Sequence, residues 1–178
     1  MFIKTPEKRY YILIGDEENW KTAIQENMWG FSDKTKGLWN TIQIGEYIVF
    51  YVTQPFSKII GLGVVTRKFI DEKLLWKDEL NFNRSLWKYR LEFKPIIIQN
   101  NWEKGFKLPS RKKWFLQSTR IIIEKEMFFE IIEVADKQWK TKIRDKIKKL
   151  IYVNSNLLSI NFTNLSSKFY QFNMSHSL

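Results

Sequence analysis

DEENWKTAIQENMWGFS, Asp16 to Ser32, is the stretch on which the reading of this 178-residue chain turns. Asp16 carries a side chain that accepts from the free amides of a helix start. Glu17 and Glu18 put negative charge in the first turn, and Trp20, Ala23, Ile24 and Met28 recur at three- and four-residue spacing. The segment therefore predicts a capped helix with one buried face. Gly30 permits a sharp change of direction beyond it, so Trp29 falls where a helix has ended and a strand or loop begins. A tryptophan there either plugs the core, as most tryptophans do, or forms a wall of a pocket.

The flanks read mainly as strands. Tyr10 to Ile14 is a short apolar run closed by Gly15, and Tyr47 to Val52 is a second, entered through the turn Ile44-Gly45-Glu46. Gln54-Pro55-Phe56-Ser57 interrupts the pattern. Lys58 to Phe69 resumes it as the second arm of a hairpin, with Gly61 and Gly63 marking a bulge or a close backbone approach. Asp71 to Leu80, around Trp76, reads as a loop with one helical turn. From Leu86 to Ile98, Tyr89, Leu91 and Phe93 alternate with Lys88, Arg90, Glu92 and Lys94, which predicts a strand with one core face and one wet face. Arg120 to Ile123 is a last strand-like run. Two helices are then expected, Glu124 to Val134 and Asp136 to about Tyr152. The first has Met127, Phe128, Ile131 and Ile132 on one side. The organisation expected is a domain over 1–134, a basic amphipathic helix over 135–152 and an Asn/Ser-rich tail or linker over 153–178.

Charge points to the class of partner. Thirty Lys and Arg against nineteen Asp and Glu give +11, which favours a polyanion: nucleic acid first, anionic membrane second. Asp136 to Ile151 alone contributes seven bases against two acids, or +5. Its apolar positions Trp139, Ile143, Ile147, Leu150 and Ile151 have the spacing of a helix that packs on the body, which argues against membrane binding. Eight Trp, seven Tyr and fourteen Phe are more aromatics than such a core needs. Aromatics interleaved with lysine suit base stacking with phosphate contact. No apolar run is long enough to span a bilayer and the first residues lack a secretory apolar region, so a soluble cytoplasmic protein is expected.

Several chemistries find no support. There is no cysteine, and the single histidine, His176, lies three residues from the end, which removes Cys/His zinc sites and leaves a Ser/His/Asp triad without a plausible base. Neither GxxxxGK[ST] nor GxGxxG occurs, and the carboxylates have no specific spacing. Neither an enzyme nor a cofactor is expected.

Tyr11, Asn19-Trp20, Ala23-Ile24, Met28-Trp29-Gly30-Phe31-Ser32, Ile44-Gly45-Glu46, Phe50-Tyr51 and Gly61-Leu62-Gly63, followed by Leu75-Trp76, Tyr89-Arg90-Leu91 and Trp114, form an ordered pattern. It resembles the EVE domain, a member of the PUA-like superfamily related to the YTH readers of methylated adenine in RNA. The resemblance covers roughly residues 8 to 134. It implies an α+β fold, a PUA-like twisted or closed β-barrel of five or six strands with helices around it, that holds a flipped base in an aromatic cage. By the same resemblance Trp29 and Trp76 are cage walls, Asn19 is a polar contact to the base, and Arg111, Lys112 and Lys113 hold phosphates. Trp20, Phe31 and Trp87 all stand open as the third wall. Ser32 serves either the base or its own turn.

The function expected is a reader of a modified base, in DNA more than RNA. It would be a free-standing EVE protein or the recognition domain of an McrB-type restriction system, partnered by a motor or nuclease. The alternatives are a PUA-like RNA-binding module that needs no modification and an ASCH-like enzyme acting on a nucleoside.

Overall fold

The computed structural model describes residues 8–109 and 122–149; Arg111, Lys112, Lys113, Trp114, His176 and the 153–178 tail lie outside the described residues. Six strands form one curled half-barrel sheet in an α+β fold: β1 Tyr10–Gly15, β2 Met28–Phe31, β3 Tyr47–Val52, β4 Lys58–Ile70, β5 Tyr89–Ile98 and β6 Ile122–Ile123. Their spatial order is β2-β5-β4-β3-β1-β6. β1 and β3 are parallel, and every other neighbouring pair is antiparallel. A parallel pair needs a crossover, and here it contains α1 Glu17–Glu26, β2 and α2 Lys36–Thr41. That crossover carries half of the candidate site.

All six residues of β3 are buried, as an unbroken apolar run predicts for a strand covered on both faces. The β3–β4 hairpin follows the sequence reading, and its two glycines have a packing reason. A Cβ on Gly61 would lie 2.7 Å from Phe50 Cδ2, and one on Gly63 would lie 2.8 Å from Phe50 Cζ. Phe50 thus rests against bare backbone, where the pairing also slips register. The Gly-Glu turn also behaves as expected. Gly45 has φ +86°, and the Glu46 carboxylate accepts from the amides of Gln43 (2.7 Å) and Arg9 (3.2 Å).

Three local readings are corrected. The chain turns at Asn27 and not at Gly30: Asn27 adopts φ 52°, its N–H reaches the carbonyls of Ala23 and Ile24, and Gly30 is an extended residue of β2 paired with Arg90. Arg90, assigned by alternation to the wet face of β5, is fully buried against Glu79. The helix over Glu124 to Val134 does not stop there. α4 runs Lys125–Trp139 and ends where Lys140 takes φ 53°, since nothing at Ala135 or Asp136 breaks the ladder. The Trp139 indole N–H donates to Lys104 O (2.9 Å) and its ring meets Phe106, which ties the end of α4 to the loop after β5.

The chain divides into two compact units, Met1–Thr141 and Lys142–Leu178. In the second, residues 143–149 are helical. No helix among the described residues is long and apolar enough to cross a membrane.

Candidate nucleic-acid base site

The α1 start is built as its sequence predicts. The Asp16 carboxylate accepts from the Asn19 N–H at 2.8 Å, and Glu17 and Glu18 occupy the first turn. This fixes the Asn19 backbone and leaves its side-chain amide out of the cap. One turn on, Trp20 is fully buried; its indole N–H donates to Tyr51 O at 2.7 Å and its ring meets Phe50 at 4.8 Å. Trp20 is therefore not a third wall. It lies behind one, with the Trp29 ring 4.5 Å from its own.

Trp29 borders a cavity of about 490 Å³, together with Asn19, Phe31, Trp76 and Trp87. Five of the residues singled out in the sequence thus meet on one surface, brought from α1, β2 and the two ends of the 76–87 segment. Lys34, Thr35, Leu38 and Thr41 complete the side supplied by the turn after β2 and by α2. Lys34 and Thr35 were not singled out, because Asp33 to Gly37 reads as an ordinary polar loop, and Leu38 just beyond it reads as a core contact. That turn is anchored from β5: Tyr89 O–H donates to Asp33 Oδ1 at 2.9 Å and Lys88 pairs with the same oxygen at 3.2 Å. The Tyr89 hydrogen bond and then the Lys88 charge hold the Asp33 carboxyl below its ordinary value.

Ser32 does not line the cavity. Its N–H donates to Thr35 Oγ1 (2.9 Å) and its hydroxyl meets the same oxygen (3.2 Å), so its chemistry goes into the turn.

Two glycines let the aromatic walls close up. A Cβ on Gly15 would lie 2.5 Å from Trp29 Cη2; one on Gly30 would lie 2.5 Å from Trp87 Cβ and 2.9 Å from Trp76 Cη2. Trp29 rests on one bare backbone position, and Trp76 and Trp87 crowd a second.

The 76–87 segment carries two carboxylates, Asp78 and Glu79, tied to the Trp76 and Trp87 walls. The Trp87 indole N–H donates to Asp78 Oδ2 at 2.9 Å, which fixes that ring. Glu79, on α3 Lys77–Phe82, is fully buried and paired with Arg90 at 3.4 Å. Burial pushes the Glu79 carboxyl up, but amides from Leu75, Trp87 and Leu86 and the Arg90 charge outweigh it, and the net shift is downward. The Arg90 guanidinium lies 4.3 Å from the Trp76 ring centroid, a cation–π contact in a dry setting. Spacing gives no sign of this pair, since helix and strand bring together two residues from unrelated patterns.

A cavity walled by flat aromatics, with an amide at one side and a lysine and two threonines at the other, is suited to a planar, weakly polar ring held by stacking. Carboxylates are absent from its described lining, and no group of three or more His, Cys, Asp or Glu among the described residues could hold a metal.

The fold belongs to the YTH-like class. The crystal structure of the Mmi1 YTH domain superposes with a TM-score of 0.50 over 76% of this chain and 100% of that domain, at 14% identity. No protein-family model matches the chain. UPF0310 protein PH1033 of Pyrococcus horikoshii is 30% identical over 98 residues, 50% of this chain and 67% of that protein. UPF0310 protein SSO2595 of Saccharolobus solfataricus is 28% identical over 91 residues, 44% and 61% respectively. The chain belongs to the UPF0310 family.

Proposed function

We propose that this protein binds nucleic acid and reads a methylated base, which it holds out of the stack between Trp29, Trp76 and Trp87, with Phe31 at the base of the cavity and Asn19 as the polar contact. One observation carries the reading: those five residues surround a single cavity of about 490 Å³. The net charge of +11 supports a polyanionic partner. Binding without turnover is the proposed activity, because the described residues of the cavity lining supply no acid and base pair.

The energetics assign separate tasks to separate groups. Stacking contributes about 1–3 kcal/mol per base, and extrusion from a duplex costs a few kcal/mol. The two nearly cancel. Net affinity then rests on phosphate contacts, with the steep salt dependence such contacts bring; Arg111, Lys112 and Lys113 are the residues proposed for them. Burying one methyl group gains only about 0.8 kcal/mol, about fourfold, so strong selectivity requires a penalty on the bare base as well. Asn19 is the residue proposed to impose it.

The resemblance to EVE domains points to DNA. It further points to a stand-alone EVE protein or the recognition domain of a modification-dependent restriction system, acting with a motor or nuclease. Tryptophan fluorescence titrated with DNA and RNA strands carrying methyladenine, methylcytosine or no modification tests all of this at one salt concentration. The reading expects one methylated DNA strand to bind best; a preference for methylated RNA moves the reader to RNA, and equal affinity for every strand removes modified-base reading.

A further inference from the structure

Trp76 and Trp87 reach the cavity from the two ends of one excursion: Trp76 immediately precedes α3, and Trp87 lies shortly before β5. The two rings form one slot only if those ends are held at a fixed distance. Backbone pairing reaches only the foot of the excursion, where the Asp71 N–H donates to Lys88 O at 2.9 Å, and neither Trp76 nor Trp87 belongs to a strand. The hydrogen bonds show what holds the ends.

Four backbone amides converge on one carboxylate. Leu75 N–H and Trp76 N–H donate to Glu79 Oε2 at 3.0 and 3.3 Å, and Leu86 N–H and Trp87 N–H donate to Glu79 Oε1 at 2.9 and 2.8 Å. Each oxygen holds one end of the excursion. A carboxylate has about four acceptor sites, all of them used here, and its charge is balanced by Arg90 Nη2 at 3.4 Å. Arg90 is itself fixed by donation to Lys73 O at 2.7 Å and lies over the Trp76 ring. Both side chains are fully buried, where such bonds are strong and their loss is not made good by water.

We infer that Glu79 is a positioning residue for the cavity: its carboxylate is a two-ended clamp that sets the gap between Trp76 and Trp87, and Arg90 supplies the counter-charge. Glu79 lines no part of the cavity, so it acts on a ligand solely through the two indoles. The consequence for ligands rests on the proposed base reading, whereas the clamp exists in the free protein and is tested there.

The test uses the full chain. In ligand-free wild-type protein, the amides of Leu75, Trp76, Leu86 and Trp87 should exchange with solvent at least a hundredfold more slowly than the amides of the exposed residues Glu72 and Asn100; equal rates overturn the clamp. Glu79→Gln keeps the shape but turns one acceptor oxygen into a donor, which faces the two amides at one end and releases it. In that variant the Trp76 or Trp87 indole ¹⁵N–¹H signal should move or split while the Trp102 signal stays in place; unmoved Trp76 and Trp87 signals overturn the inference. Of the methyladenine and methylcytosine strands, whichever binds wild type should bind Glu79→Gln at least tenfold more weakly with an unchanged salt slope. Affinity within twofold counts against the inference. If wild type binds neither strand, the base reading fails while exchange and indole signals still decide the clamp; if the variant does not fold, wild-type exchange decides it.

Discussion

Gly30→Ala puts a methyl group into the angle between two cavity walls, and the structure sets the size of the effect. The new Cβ would lie 2.5 Å from Trp87 Cβ, 2.9 Å from Trp76 Cη2 and 3.0 Å from Trp87 O. Carbon atoms settle at about 3.5–4.0 Å, so the 76–87 segment must move away from β2 by about 1 Å. The Trp76 ring tip at 2.9 Å is the far end of a side chain, but the Trp87 Cβ at 2.5 Å and the Trp87 carbonyl oxygen at 3.0 Å move only with the backbone, so rotamer changes cannot absorb the clash. Gly30 is an ordinary strand residue, and the effect is therefore one of contact alone. Overpacking of this kind costs about 1–3 kcal/mol, to be read from urea unfolding midpoints. A wall displaced by about 1 Å forfeits up to half of its dispersion contact, which against a stacking gain of about 1–3 kcal/mol weakens base binding about three- to tenfold. The affinity is measured by fluorescence titration with the methylated strand. A variant equal to wild type in both stability and affinity would refute the account of how the walls close on Gly30.

Gly15→Ala directs its clash at Trp29 Cη2, 2.5 Å away, the outer rim of a ring that can swing; affinity for the methylated strand should fall while the urea midpoint changes by less than about 1 kcal/mol. Trp20→Phe removes the buried hydrogen bond from the indole N–H to Tyr51 O and leaves a gap where the larger ring packed, so the unfolding free energy should drop by about 1–3 kcal/mol, with any loss of affinity secondary to it. Because the Glu79 carboxyl is held below its ordinary value of 4.5, its contribution to stability is fully present above that value and is lost as pH falls from there through the folded value. The gap in unfolding free energy between wild type and Glu79→Gln should accordingly be constant near neutral pH and narrow below about pH 4.5; a gap independent of pH would show that the charge does nothing.

The backbone plan was legible because it is written in local pattern. Six consecutive apolar residues from Tyr47 to Val52 could only be a covered strand, and Asp16 with two following glutamates marked the start of α1. Gly61 and Gly63 were legible as close-approach positions, although their partner, Phe50, was not. The site was legible in part. Trp29 stood out by position, whereas Trp76 and Trp87 came from resemblance, because a loop tryptophan carries no spacing that betrays what it faces. Lys34 and Thr35 went unseen inside a polar loop. The clearest miss was Glu79 with Arg90. Period-two alternation put Arg90 among solvent-facing charges, Glu79 was one of the scattered carboxylates in a loop, and only the fold, by placing α3 beside β5, makes them a buried pair. Trp20 shows the reverse: helical spacing put it on the buried face of α1, the resemblance left it open as a third wall, and its indole N–H has a carbonyl partner in β3.

The central claim is that Trp29 holds a methylated base. The most direct measurement is the ratio of affinities for a methylated and an unmethylated strand of one sequence, at one salt concentration, in wild type and in Trp29→Ala. The account predicts a ratio well above the fourfold that methyl burial alone provides in wild type, collapsing toward one in the variant while the weak, salt-dependent binding of the bare strand persists. A ratio near one in wild type, or a large ratio that survives loss of Trp29, would contradict it.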